Sequence, residues 1–412
     1  MRGNAALQED FAQLMVPSLN ETYPEDSENL TKHDAKVYVI DGLLDLTLNS
    51  PELLTFDLRF AACECLKAYF AGHANVKLHF LSRAIEGYRA EHDEVLNIFT
   101  VLLRPSNTTT MTTDPYRVWF AAVLAFHLLS DAPIAKSKAF AVTEGDASSG
   151  EEVVTSVQIV AAHLITGLRH DDDVRILAGY LMLLLGWLFE DIDGVNDFLS
   201  EGSYLQGLIE IVTQRIVGGE VVQGLCAMLL GVLYEFSTKD SPIPRTTLHS
   251  MLLAQLDREK YIDRLTVLRG HPSMRDFEVT PQKLDSSEPG LLPDVYFDGV
   301  FVNFFKDNYS RMSRAIDREP GFEVSVVTNG IQKGVSRDLV DSLRVQVEQG
   351  EAALQDAQAE IANVQRGLEQ EQADHRKSKE EAAAINGKSA IANEGLQKAH
   401  EAELRFVTAF HH

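Results

Sequence analysis

Few residues in this chain have types and spacings suited to chemistry. Cys63 and Cys65 lie one residue apart, and His170-Asp-Asp-Asp173 puts four possible metal ligands in a row. Either group suggests a soft or mixed-ligand cation site, and His127 or His163 suggests a general base. The elements that must carry these residues argue against each reading. On a helix, Cys63 and Cys65 point about 200° apart and cannot grip one ion from that helix. The three aspartates stand just before an apolar run starting at Val174, where carboxylates cap free N–H groups and meet the positive end of the helix dipole. His127 and His163 fall on apolar helical faces, as core histidines with satisfied nitrogens do. No glycine-rich phosphate loop or nucleophile elbow is present. The expectation is a protein that is not an enzyme, without cofactor or metal.

The positioning elements are more informative. Gly179-Tyr-Leu-Met-Leu-Leu-Leu-Gly186-Trp187-Leu-Phe189 returns as Gly224-Leu-Cys-Ala-Met-Leu-Leu-Gly231-Val-Leu-Tyr234, offset by 45 residues. That period lies in the armadillo/HEAT range, in which each helical unit buries its apolar face only by stacking on its neighbours. Ile176 to Phe189 is apolar or glycine on every side, the mark of an inner helix. At 14 residues the run is shorter than the roughly 20 needed to cross a bilayer. Glycines seven apart share nearly one face, so Gly179, Gly186, Gly224 and Gly231, with Trp187, are expected to be repeat-packing residues. Arg59, Arg117 and Arg175, spaced 58 apart, open similar apolar runs and extend the repeat toward the amino terminus.

The chain has 412 residues and a net charge of −24. From Arg337 onward, 14 acids face 9 bases, so about −19 resides in residues 1–336 and the acidity is global. Such a surface repels phosphate backbones and anionic lipid, so neither nucleic acid nor a polybasic membrane contact is expected. Three cysteines, Cys63, Cys65 and Cys226, make no disulfide framework and suit a reducing compartment. No charged-then-apolar leader precedes Phe11, so the sequons at Asn20, Asn29, Asn107 and Asn308 are expected to be irrelevant.

Taken in order, residues 1–34 read as a frayed start and residues 35–268 as armadillo-like repeats. Helices are expected over about 35–48, 53–70, 75–88, 91–103, 117–129, 153–168, 174–189, 195–199 with 205–216, 221–236 and 247–268. Arg104 to Pro115 and Gly145 to Gly150 are surface loops. Residues 269–336 form a linker and carboxy-terminal cap, in which the aromatic piece Asp294 to Ile316 packs back to close the open end of the stack. Over 337–405 the composition turns to Glu, Gln, Ala and Lys. Leu343, Val347, Gly350, Leu354, Ala357, Ile361, Val364 and Leu368 keep 4-3 spacing there, a coiled-coil seam that pairing into a homodimer would bury. Glu371, His375 and Ser378 interrupt the seam, which should make it easy to open. Residues 406–412 are expected to be a tail or tag remnant. The fold class is therefore all-α, an armadillo/HEAT-like α-solenoid followed by a coiled-coil helix.

The repeats, the Leu-Leu-Gly-Trp-Leu and Val222-to-Gly231 helices, the Val295-Tyr-Phe-Asp-Gly-Val-Phe301 segment and the coiled coil, in that order, make this chain resemble the general vesicular transport factor family. These are long tethers of endoplasmic-reticulum to Golgi and intra-Golgi traffic. The resemblance covers about residues 35–370 and is most specific between Val174 and Ile316. It implies an armadillo-like head on a parallel dimeric coiled coil, protein-mediated peripheral association with Golgi and vesicle membranes, and a cytoplasmic setting. It also implies a Rab-type GTPase, SNAREs and Golgi tethering or matrix proteins as partners, with Asp338 to Leu368 as the region that engages SNARE helices. The chain departs from the family in a head about half as long, a coiled coil of roughly 70 residues, and no acidic end; a fragment is the expectation. The alternative is a soluble solenoid adaptor for basic cargo, which acidity favours and the coiled coil does not.

Overall fold

The computed structural model describes residues 2–17, 36–49, 56–90, 97–104, 114–146, 148–214, 218–279, 293–324, 326–328, 331–333 and 337–409. It divides into two units, Met1–Val335 and Ser336–His412. Pro51, residues 91–96 of the helix expected over 91–103, the sequons at Asn20, Asn29 and Asn107, and most of the linker before Pro293 lie outside the described residues.

The first unit is a stack of helix pairs. It comprises α1 (Ala5–Gln13), α2 (Val39–Leu48), α3 (Phe56–Phe70), α4 (Ala74–Arg89), α5 (Ile98–Leu103), α6 (Pro115–Leu129), α7 (Pro133–Phe140), α8 (Ser156–His170), α9 (Val174–Leu188), α10 (Ile192–Ser200), α11 (Gly202–Thr213), α12 (Glu220–Phe236), α13 (Arg245–Gln255), α14 (Arg258–Gly270), α15 (Pro272–Arg275) and α16 (Gly299–Met312). Three antiparallel two-stranded ribbons punctuate them: β1 (Met15–Pro17) with β2 (Lys36–Tyr38), β3 (Thr143–Glu144) with β4 (Val154–Thr155), and β5 (Val326–Thr328) with β6 (Ile331–Lys333).

Inner helices α3, α6, α9, α12 and α14 pack in succession, and α2, α5, α8 and α11 cover α3, α6, α9 and α12 in turn. The sequence makes α9 and α12 the most deeply enclosed of these by leaving them almost no polar face. Every residue of α12 from Val221 to Phe236 is buried, as is α9 from Leu177 to Leu188. Starts are written locally. Asp114 caps α6 through the Tyr116 amide ahead of Pro115, Asp173 caps α9 through the Arg175 amide, and Thr155 with Gln158 closes a capping box on α8.

Several expectations require correction. Residues 2–17 are not a frayed start. Helix α1 lies on α2 and α3, and the buried Gln8 amide donates to the carbonyls of Ala68, Tyr69 and Ala71 at the end of α3. Those carbonyls have no partner within their own helix, so α1 serves as their cap. The single helix expected over 247–268 is two, because Asp257 adopts φ +64° and caps α14 through the Glu259 amide. Residues 36–38 are strand, not helix, and pair with Met15–Pro17.

The expected cap also differs. The segment from Pro293 through α16 to a short 3-10 turn at Ala315–Asp317 does pack back, but it crosses α6, α9 and α12 rather than only closing the end. Tyr116 and Trp119 of α6 hold its start, Phe126 and Phe189 meet Phe304, and the Tyr261 hydroxyl of α14 donates to Met312 O at 2.6 Å. Phe297, Phe301 and Phe305 are buried by this crossing. The gain, about 1.5–3 kcal/mol per fully buried large side chain, explains why an aromatic-rich piece lies along the stack.

The second unit is one helix, α17 (Arg337–Ala409), of 73 residues. It passes the expected end at residue 405 by four residues, because nothing in Phe406-Val-Thr-Ala409 breaks a helix.

Candidate interaction surfaces

The residues singled out for repeat packing lie where helices approach. A Cβ on Gly179 of α9 would sit 3.2 Å from Trp119 Cα, and one on Gly186 would overlap the Phe126 ring of α6. On the other side of the stack, a Cβ on Gly224 would be 3.0 Å from Arg264 O, and one on Gly231 would overlap the Tyr261 hydroxyl. Each pair of glycines therefore serves a different neighbour, α9 against α6 and α12 against α14. Trp187 is fully buried.

The seam residues are all on α17. Leu354, Ile361, Val364 and Leu368 are between 54 % and 67 % exposed, and Ala357 is also exposed; Leu343 and Val347 lie on the helix backbone, with side chains outside the described residues. Ile385 and Leu396 continue the same 4-3 positions, also exposed. On an otherwise charged helix this is an uncovered apolar stripe.

A polar site that the sequence reading missed lies where the crossing segment meets α3 and α6. Lys67 of α3 pairs with Asp298, and His127 Nε2 of α6 lies 2.9 Å from the other Asp298 oxygen. Asp298 is 4 % exposed and also accepts from the Val300 amide, capping α16. Burial alone would raise the Asp298 carboxyl, but the hydrogen bond and charge of His127, then the charge of Lys67, outweigh it and hold its pKa below the usual carboxylate range. Burial works against the Lys67 ammonium, yet Asp298 keeps its pKa above the ordinary lysine value. The Cys63 thiol beside them is pushed up by burial and stays protonated.

Residues just before Asp298 are read by side chains. Trp119 Nε1 donates to Tyr296 O at 3.0 Å, the Tyr116 hydroxyl accepts from the Val295 amide at 3.1 Å, and Arg175 donates to Pro293 O at 3.1 Å. A second ionic cluster follows. The fully buried Glu235 of α12 accepts from Arg311 Nε at 2.8 Å and pairs with Arg318, while the Arg311 guanidinium lies over Phe189 and Phe236. The available signal for both clusters was a charge inside an apolar run, Lys67 before Ala-Tyr-Phe and Glu235 between Tyr234 and Phe236.

The chemistry-bearing candidates are not brought together. Cys65 is exposed and Cys63 buried. Asp173 caps α9, and Asp171 ends α8 in the left-handed region at φ 55°. His163 Nε2 lies 3.1 Å from Leu103 O. Among the described residues no group of three or more His, Cys, Asp or Glu is arranged to hold a metal ion, and no helix is long and apolar enough to cross a membrane. A cleft of about 390 Å³ between the starts of α9 and α12 is lined by Asp171, Asp172, Arg175, Val222 and Tyr296.

Comparison with known proteins gives this architecture a family. Residues 4–316 match the model for the head region of Uso1/p115-like vesicle tethering proteins. The intracellular protein transport protein USO1 of Saccharomyces cerevisiae is 26 % identical over 368 residues, covering 78 % of this chain and 20 % of the relative. The general vesicular transport factor p115 of Rattus norvegicus is 26 % identical over 208 residues, covering 50 % of this chain and 20 % of the relative. The chain thus spans about a fifth of the length of these curated relatives. A crystal structure of Uso1-2 superposes with a TM-score of 0.66 at 26 % identity, covering 77 % of this chain and 48 % of that one. With a stacked-helix head crossed by its own aromatic segment, and the match spanning that whole head, the chain belongs to the Uso1/p115-like family of vesicle tethering proteins.

Proposed function

We propose that this protein tethers transport vesicles to target membranes in endoplasmic-reticulum to Golgi and intra-Golgi traffic, working through protein contacts before fusion. The observation that carries the reading is the family match across the head, joined to a long helix with an uncovered apolar stripe. Residues 35–268 serve as the repeat array, 269–336 as the linker and carboxy-terminal cap of the head, and 337–405 as the coiled coil. Leu343, Val347, Leu354, Ala357, Ile361, Val364 and Leu368 form the homodimer seam and the surface that engages SNARE helices. A Rab-type GTPase and Golgi tethering or matrix proteins complete the partner set, and the protein works on the cytoplasmic face of Golgi and vesicle membranes.

Tethering of this kind needs no catalytic group. Two heads on one dimer raise the effective concentration of each weak contact, so avidity exceeds single affinities without new contacts. A seam broken by Glu371, His375 and Ser378 pairs less tightly than a continuous one and leaves room for helix exchange. The test is capture from microsomal extract by the full chain beside a chain ending at Arg337, with bound proteins identified by mass spectrometry. SNAREs and Golgi tethers recovered only by the full chain support the reading. Equal recovery of soluble basic proteins by both chains overturns it in favour of an adaptor.

A further inference from the structure

The segment Pro293–Asp298 has no regular secondary structure, and side chains of the inner helices satisfy its backbone. Pro293 O accepts from Tyr116 and Arg175, the Val295 amide donates to the Tyr116 hydroxyl, and Tyr296 O accepts from Trp119 Nε1. Its side chains alternate between Val295 and Phe297, which are buried, and Asp294, which is exposed. At its end Asp298 enters the pocket made by Lys67 and His127. Main-chain groups held in register, alternate side chains in apolar seats and a charged terminal anchor are how a groove binds a peptide from another molecule.

We propose that Tyr116, Trp119 and Arg175, with Lys67 and His127 at one end, form a recognition groove for an extended segment of the pattern apolar–aromatic–aromatic–aspartate. The chain's own Val295-Tyr-Phe-Asp298 fills it as an internal ligand. A partner protein presenting that pattern takes the same seats when the internal segment leaves. The groove has the means to discriminate. Lys67 and His127 favour an anion at the last position, since a neutral residue there leaves the buried Lys67 ammonium to the more exposed Glu64 carboxylate of its own helix. The three side chains that read the backbone accept any sequence upstream that fits the two apolar seats. The internal ligand lowers apparent affinity for the external one by the fraction of time it vacates the groove.

The experiment uses the full chain and a fluorescein-labelled peptide with the sequence of Pro293–Val300. Asp298→Asn weakens the internal anchor while keeping an N-cap for α16, because asparagine caps as well as aspartate. Wild type should bind the peptide weakly and Asp298→Asn at least about tenfold more tightly, with faster hydrogen exchange at the Val295 amide. A peptide carrying asparagine at its aspartate position should not bind the variant. Phe297→Ala, which empties one apolar seat of the internal segment and leaves Tyr116, Trp119, Arg175, Lys67 and His127 in place, should also raise peptide affinity and gives a second reading if Asp298→Asn folds poorly. Peptide affinity unchanged in both variants, or equal binding of the aspartate and asparagine peptides, would overturn the proposal and leave the segment a permanent part of the core.

Discussion

Replacing one glycine by alanine should change the stability of this head in opposite directions at two sites. In an open helical position the change is favourable, because alanine exceeds glycine in helix propensity by about 1 kcal/mol. Gly42 of α2 is such a position, with nothing within 4 Å of an added Cβ. Gly42→Ala should therefore stabilise by about 0.5–1 kcal/mol. At Gly186 the same methyl would overlap the Phe126 ring. That ring cannot swing aside freely, since Phe301 and Phe304 lie edge-on to it at 5.7 and 5.9 Å between centroids. Overpacking of this kind costs about 1–3 kcal/mol, and the upper half applies where neighbours are aromatic and fully buried. After the propensity gain is subtracted, Gly186→Ala should destabilise by about 1–2 kcal/mol, leaving about 1.5–3 kcal/mol between the variants. Urea unfolding followed by tryptophan fluorescence measures this cleanly. Both tryptophans of the chain, Trp119 and Trp187, are buried in the head, so α17 is silent. If Gly186→Ala moves the midpoint upward as Gly42→Ala does, the argument that these glycines exist for helix approach is wrong.

Three further outcomes follow from the same contacts. Lys67→Met should destabilise the head by about 2–4 kcal/mol, somewhat less than a fully orphaned buried charge because His127 remains beside Asp298; in a double-mutant cycle, adding Asp298→Asn should cost less than it does alone. Because the folded pKa of Asp298 is depressed, its contribution is present above the unfolded value of about 4 and is lost as pH falls toward the folded value. The stability gap between wild type and Asp298→Asn, measured by urea titration at several pH values, should accordingly close below about pH 4; a gap that widens on acidification would contradict the assigned charge state. Changing Leu354 and Ile361 together to Asp should halve the mass seen by light scattering while leaving the tryptophan unfolding midpoint unchanged. A dimer unaffected by both substitutions would remove the seam assignment.

The sequence by itself determined the class of this fold, because the inner helices announce themselves through short-range pattern. Runs such as Ile176 to Phe189, a 45-residue echo carrying paired glycines, and Asp114 and Asp173 before α6 and α9 are local features, and helix formation, capping and face-to-face stacking obey them directly. The 4-3 spacing of α17 is legible for the same reason. Only the tertiary structure decided how the ends of the stack are finished. Gln8 reaches the end of α3 across 61 residues, and His127 meets Asp298 across 171. Neither contact leaves a period or a motif in the chain. Asp257 illustrates the limit at short range: its positive φ breaks one expected helix into two, although aspartate in that position has no signature distinguishing it from a surface residue of a continuous helix. Charges such as Lys67 and Glu235 stood inside apolar runs as visible anomalies, but their partners come from a segment folded back along the stack. Burial of an ion is tolerated only where another charge arrives to meet it, and that arrival is a property of three-dimensional packing.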